Sequence, residues 1–260
     1  RGPIEIRFEK ALFHYLNAAN VCLFNNGTLA LQIALQGMEI SGEVITTPFS
    51  FVATTLALFW NKVRPVFCDI EPEYYTIDPE RIEDLITPWT TSILAVHVFG
   101  HVCQLDNLAN IAKKHNLRLI YDSAHAFGVK VNGKSSTAYG DLNMLSFHAT
   151  KLFHTFEGGA LVFQVEGLKS KFNYLKNFGF KNDVEVVMPG TNAKMTEFQA
   201  LKGSWHHRPE TLHCRNQSGK IPTRSKMPPR KNRLLSALFY QQQSLVKESQ
   251  TRPPKTAHFK

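Results

Sequence analysis

Lys151 closes the stretch Ser146-Phe147-His148-Ala149-Thr150-Lys151, just after the apolar run Asn143-Met144-Leu145 and ahead of Glu157-Gly158-Gly159. A loop lysine beside a serine and two glycines can form an imine with an aldehyde, provided its surroundings lower its pKa enough to leave the amine neutral. Taken alone, a lysine in a loop is a solvated surface charge, so its neighbours must decide. Asn26-Gly27-Thr28 joins an apolar run to a helical one. At such a junction the first-turn amides are unpaired and the helix dipole favours an anion. Gly27 permits close approach and the Thr28 hydroxyl adds a donor. The plain alternative is a turn with a threonine cap. Ser146 is a second hydroxyl at a strand end, with the same two readings. Together with Lys151 these residues compose a phosphate site beside an imine-forming amine.

Asp122 follows the apolar run Leu117–Tyr121 and opens Asp122-Ser123-Ala124-His125-Ala126-Phe127-Gly128. A carboxylate at a buried strand end needs a cation or hydrogen-bond donors. It either caps the next turn or faces a protonated pyridine nitrogen, which makes such a ring an electron sink. His125 is either a donor to a ring oxygen or a satisfied core histidine. Phe51, in Thr47-Pro48-Phe49-Ser50-Phe51, either lies flat on an aromatic cofactor or joins the core. His97-Val98-Phe99-Gly100 marks another strand end and is a weak signal by itself.

The elements that must position these residues alternate along the chain. Phe8, Leu12, Tyr15 and Leu16 form a helical stripe, and Val21–Phe24 reads as a short buried strand before a helix through Leu29–Leu35. Val44–Thr47 and Pro65–Ile70 read as strands on either side of a helix over Phe51–Trp60. Pro79–Leu85 reads as helix, Ile93–Val98 as strand, Leu105–His115 as helix and Leu117–Tyr121 as strand. Leu142–Ser146 and Ala160–Phe163 are two further strands flanking the lysine loop. Helices alternating with short apolar strands predict an α/β fold with a mainly parallel sheet covered on both faces. Ligands in such folds bind at the carboxyl ends of the strands, where each of these motifs falls.

The 260 residues, 43% of them hydrophobic, suffice for one large α/β domain or two smaller ones. No run of about 18 apolar residues is present, so no membrane span is expected. The chain opens on Arg1 with no basic-then-apolar leader, which predicts a start internal to a gene product and no secretory signal. Cys22, Cys68, Cys103 and Cys214 lack metal or redox spacing, which predicts free thiols in a reducing cytoplasm and no metal site. The net charge of +9 is unevenly placed: residues 202–260 hold 13 Lys and Arg against 2 Asp and Glu, leaving 17 basic and 19 acidic residues in the first 201. Six of the 13 prolines also lie in that tail. Apart from one short helix expected over Leu234–Tyr240, the tail has no period and reads as a disordered basic segment. A nucleic-acid-binding or regulatory role for it lacks any finger, helix-turn-helix or RNA-binding signature.

In order along the chain, Asn26–Leu31, Thr47–Thr54, Pro65–Ile70, His97–Gly100, Asp122–Gly128, Ser146–Gly159 and Asn192–Ala200 resemble the fold type I pyridoxal-phosphate enzymes. The similarity is closest to the DegT/StrS family of nucleotide-sugar aminotransferases and runs from about Ile4 to Ala200. The resemblance implies pyridoxal 5'-phosphate as cofactor, bonded by Lys151, with Asp122 at the pyridine nitrogen and His125 at the ring hydroxyl. It implies Phe51 as the stacking aromatic, and Gly27, Thr28 and Ser146 as the phosphate cradle. Asn192 matches an asparagine that reaches the phosphate of a neighbouring subunit, which implies a homodimer with shared sites. Glutamate would donate an amino group, and a nucleotide-linked keto-deoxysugar would accept it. The motifs are most similar to those acting on dTDP-4-keto-6-deoxyglucose for O-antigen and lipopolysaccharide synthesis. Sugar dehydratases of the family carry histidine at the position of Lys151, so the lysine favours transamination over that alternative.

Family members continue past Ala200 into a helix of small and apolar residues and then a small α/β domain. Here Leu201 is followed by Lys202-Gly203-Ser204-Trp205-His206-His207-Arg208-Pro209. The expectation is a cofactor-binding large domain over residues 1–200, with residues 201–260 translated out of frame and the small domain missing. Such a chain would expose apolar surface, dissolve poorly and turn over little or not at all.

Overall fold

The computed structural model describes residues 2–206. Helix α1 (Pro3–Leu16) buries Phe8, Leu12 and Leu16 along one face. Its N-cap, Gly2, has no side chain to offer. The missing cap comes from the far end of the described chain, where the Glu197 carboxylate accepts the Ile4 and Glu5 amides at 3.0 Å each. Then follow β1 (Asn20–Phe24), α2 (Gly27–Gly37), β2 (Glu43–Thr46), α3 (Val52–Trp60), β3 (Arg64–Phe67) and β4 (Thr90–Val96). The chain continues through α4 (Leu105–Lys114), β5 (Arg118–Asp122), a two-residue-stranded hairpin of β6 (Lys130–Val131) and β7 (Lys134–Ser135), β8 (Leu142–Ser146) and β9 (Gly159–Phe163). The described residues close with α5 (Leu168–Leu175) and α6 (Glu197–His206).

Seven strands form one sheet in the order β1-β9-β8-β5-β4-β2-β3. The pairs β2–β3, β2–β4, β4–β5 and β5–β8 are parallel, whereas β9 runs antiparallel to both β8 and β1. It follows that β1 points the same way as the parallel strands. The carboxyl ends of β1, β2, β4, β5 and β8 therefore share one edge of the sheet with the start of β9. Alternate residues face opposite layers. Val44, Leu94 and Ile120 join the core under α2, α3 and α5, while Ile45, Ile93, Leu119 and Tyr121 pack with Leu105, Leu108 and Ala112 of α4. Among the described residues no helix is long and apolar enough to cross a membrane. No group of three potential metal ligands is found among them. Cys22, Cys68 and Cys103 are buried, and Cys214 lies outside the described residues.

Three elements differ from expectation. The strand predicted over Pro65–Ile70 stops at Phe67, because its partner β2 ends at Thr46 and turns away, with the Thr47 hydroxyl accepting the Phe49 amide. The helix predicted over Pro79–Leu85 is two 3₁₀ turns, Pro79–Arg81 and Glu83–Leu85, the first capped by the Asp78 carboxylate. The strand predicted through Val98 ends at Val96, and Val98–Gly100 forms a 3₁₀ turn with Phe99 at a φ of 54°. The boundary expected at residue 200 falls inside α6. There Gly203 is packed so tightly on Phe8 that a Cβ would meet its ring at 2.5 Å. The helix expected over Leu234–Tyr240 lies outside the described residues.

Candidate active site

Phe24, Gly159 and Ser146 are lateral neighbours in the sheet, since Phe24 pairs with Gly159 and Gly159 with Ser146. The chain leaving Phe24 turns through Asn25-Asn26 into α2. The Asn26 side chain accepts the Leu29 amide at 2.8 Å and its carbonyl accepts the Ala30 amide. The two remaining first-turn donors are the amides of Gly27 and Thr28. A Cβ on Gly27 would lie 3.1 Å from Ser146 Cβ, so the helix start rests directly on the end of β8. Two amides, the exposed Thr28 hydroxyl and the half-buried Ser146 hydroxyl thus gather in a setting suited to an anion.

The loop between β8 and β9 is fixed at its base and carries Lys151 beyond it. The Phe147 amide donates to Gly158 O and the Thr155 amide to Phe147 O. Phe147 and Phe153 are buried, and Phe153 stacks on Phe127 with ring centroids 4.4 Å apart. These aromatic anchors leave the half-buried Lys151 at the carboxyl edge. Its burial lowers the amine pKa, while the nearby Asp122 carboxylate pulls it back up.

Asp122, the last residue of β5, is 5% exposed. Its Oδ1 accepts the Ala124 amide at 3.1 Å and its Oδ2 the Thr54 hydroxyl at 2.7 Å. His125 is solvent-accessible, yet enclosure of its ring lowers its pKa, as does the Lys151 charge, and Asp122 opposes both. These mutual effects bring Lys151, Asp122 and His125 within electrostatic reach of one another. The Phe99 amide donates to His125 Nδ1 at 3.3 Å, which puts the neutral ring's proton on Nε2. Phe51 caps α3 in an extended conformation, 60% exposed, one turn before Thr54.

The structure therefore brings Gly27, Thr28, Ser146, Asp122, His125 and Lys151 to one sheet edge, with Phe51 on the helix that contacts Asp122. Asn192 stands on a different segment. It bridges to Asn177, is exposed, and precedes Ala193, whose carbonyl accepts the Asn25 amide. His97 does not join the site: it is fully buried, its ring stacked on Tyr121 at 4.6 Å, and burial pushes its pKa down to about 3.

Residues 1–207 match the DegT/DnrJ/EryC1/StrS aminotransferase family. The chain belongs to that family. Among DegT-family relatives, a dTDP-4-amino-4,6-dideoxy-D-glucose transaminase from Shigella dysenteriae is 49% identical over 202 residues, covering 78% of this chain and 55% of the relative. The chain thus spans about half the length of that curated relative. The solved structure of DesI in the presence of its TDP-sugar product matches with a TM-score of 0.74 at 36% identity, covering 80% of this chain and 54% of DesI. NtdA from Bacillus subtilis, solved with bound cofactor PMP, matches with a TM-score of 0.75 at 33% identity, covering 82% of this chain and 49% of NtdA.

Sequence reasoning assigned no contact to three residues of this candidate site. Thr54 reads as one more small residue of an apolar helix. Phe99 gave no sign that its amide would meet His125. Gly159 reads as a loop glycine, although a Cβ there would come within 2.7 Å of the Asn26 carbonyl. A threonine at the site-facing end of α3 and consecutive glycines opening a strand were the only signals on offer.

Proposed function

We propose that this chain holds pyridoxal 5'-phosphate at the carboxyl edge of its sheet, and that the family enzyme it represents transaminates a nucleotide-linked keto-deoxysugar. The convergence of the α2 start, Asp122 and Lys151 at one sheet edge carries this reading. The residues fit such a group: the Gly27 and Thr28 amides, with the Thr28 and Ser146 hydroxyls, suit its phosphate. Asp122 suits the ring nitrogen, the Nε2–H of His125 a ring oxygen, and exposed Phe51 a ring face. Bound there, the cofactor supplies an electron sink through which an amino group passes from glutamate to a keto carbon.

The chain's own residues supply placement and proton handling. Lys151 carries an amine that burial makes easier to deprotonate, so its Nζ can bond an aldehyde carbon and later take and return protons. Asp122 sets its carboxyl group against the ring, with two of its hydrogen bonds already fixed by protein donors. His125 is held neutral and offers one donor. Asn192 belongs to a segment outside this cluster and serves the phosphate of a second copy, so the working unit is a homodimer.

The sugar is dTDP-4-keto-6-deoxyglucose, the amino donor is glutamate, and the product feeds O-antigen or lipopolysaccharide synthesis in the cytoplasm. The likeness to the Shigella dysenteriae transaminase supports the sugar. Residues 1–200 are the cofactor-binding domain, and residues 201–260 replace the family's small domain through a frame change. The chain by itself then turns over little or not at all.

The test joins residues 1–200 to the C-terminal part of the Shigella dysenteriae relative and supplies cofactor, glutamate and the keto-sugar nucleotide. Mass spectrometry should find an amine in place of the keto oxygen. A chimera that binds cofactor at Lys151 yet aminates no keto-sugar nucleotide would overturn the transaminase reading. Ready turnover by the present chain alone would overturn the claim that it has little activity by itself.

A further inference from the structure

We propose that Thr54, backed by Ser50, is a positioning residue that fixes the direction of the Asp122 carboxylate. Thr54 lies on α3 and is fully buried, and Asp122 is 5% exposed at the end of β5. Their contact, Oγ1 to Oδ2 at 2.7 Å, joins two elements that share no sheet ladder. An ionised carboxylate only accepts hydrogen bonds, so the Thr54 proton is committed to it. The Ser50 oxygen lies 2.6 Å from Thr54 Oγ1 and must then donate. Ser50, Thr54 and Asp122 form a one-way chain of hydrogen bonds that delivers positive potential to Oδ2. The Ala124 amide does the same for Oδ1 at 3.1 Å.

A carboxylate this deep keeps its charge only when donors replace the lost water. Hydrogen bonds to charged groups in such settings are stronger than neutral ones, and chains of them reinforce each other. The neighbouring Thr55 shows that a hydroxyl on α3 is not bonded by default. It is also buried, yet its Oγ1 has no hydrogen-bond partner among the described residues. Thr54 and Thr55 are thus a matched pair, one aimed at Asp122 and one at nothing.

The proposal rests on the reading that Asp122 faces the cofactor's ring nitrogen, and its test separates the two. Pyridoxal phosphate is titrated into the chain and its variants, and the absorbance of the lysine-bound cofactor is followed against pH. Thr54→Val should weaken binding about tenfold to a hundredfold, the loss expected for a hydrogen bond to a charged group. It should also raise the pH midpoint of the absorbance change, because a carboxylate no longer held in line with the ring nitrogen stabilises less positive charge on the ring. Thr54→Ser should restore both values, Thr55→Val should alter neither, and Ser50→Ala should move both in the Thr54→Val direction by a smaller factor. If Asp122→Asn changes neither affinity nor midpoint, the ring-nitrogen reading fails. If Asp122→Asn moves both and Thr54→Val moves neither, the Thr54 proposal alone fails. Should Thr54→Val not fold, an unchanged Ser50→Ala variant would overturn the proposal in its place.

Discussion

Gly159 presses against the peptide between Asn26 and Gly27, with the position of a Cβ only 2.7 Å from the Asn26 carbonyl carbon and oxygen. The end of the lysine loop and the start of α2 are thereby in backbone contact. Gly159→Ala cannot be absorbed by a side-chain rotation, because the atoms it meets are main chain. We expect a destabilisation of about 1–3 kcal/mol, the range for forced overpacking. Inorganic phosphate protection at the α2 start should be lost as well. Chemical denaturation with and without phosphate measures both, and a variant as stable as the parent would refute the contact.

Asp122 raises the pKa of Lys151 while burial lowers it. Replacing Asp122 with Asn removes this opposing effect, so the amine should become neutral at lower pH than in the parent. Labelling with an amine-selective acylating reagent across pH, read at Lys151 by mass spectrometry, should show the Asp122→Asn curve displaced to lower pH. Displacement to higher pH would contradict the sign.

Lys176 and Glu5 form an ion pair at 3.1 Å with side chains 1% and 3% exposed. Lys176 Nζ also donates to the Leu23 carbonyl at 2.9 Å, in the strand that leads to α2. Lys176→Met removes one buried partner of the Glu5 carboxylate and should cost about 3–5 kcal/mol in unfolding free energy. Equilibrium urea unfolding is the measurement, and a change below about 1 kcal/mol would exclude a stabilising pair.

His97 is fully buried with its pKa pushed from near 6.5 to about 3 by burial. The unfolded chain takes up a proton below about pH 6.5, whereas the folded chain does not until about pH 3. Its contribution to stability is therefore complete above pH 6.5 and falls as pH drops through that window, by on the order of a few kcal/mol. His97→Asn preserves an acceptor for the Cys103 amide, which now donates to Nδ1 at 3.3 Å, and removes the titration. Its unfolding free energy should depend less steeply on pH between 6.5 and 4. An unchanged slope would mean that His97 is not the titrating group.

The alternation of apolar runs located most elements to within a residue or two, since burial of one face is written locally. Strand-end residues such as Asp122 and Ser146 were legible for the same reason. What stayed hidden depends on partners distant in sequence. The Thr54 hydroxyl finds Asp122, 68 residues on, and the Glu197 carboxylate caps a helix 192 residues earlier, so neither could be seen in its own window. Pro65–Ile70 had strand composition throughout, yet a strand lasts only as long as its neighbour. Asn192 carries no local signal of a partner.

If the chain holds pyridoxal 5'-phosphate as proposed, Lys151 is the residue that bonds it. The direct measurement is incubation of the chain with pyridoxal 5'-phosphate, reduction with borohydride, and peptide mapping by mass spectrometry. The account predicts one dominant pyridoxyl adduct on Lys151, abolished by Lys151→Ala and competed by phosphate. Adducts spread evenly over exposed lysines, or a dominant adduct that survives Lys151→Ala, would contradict it.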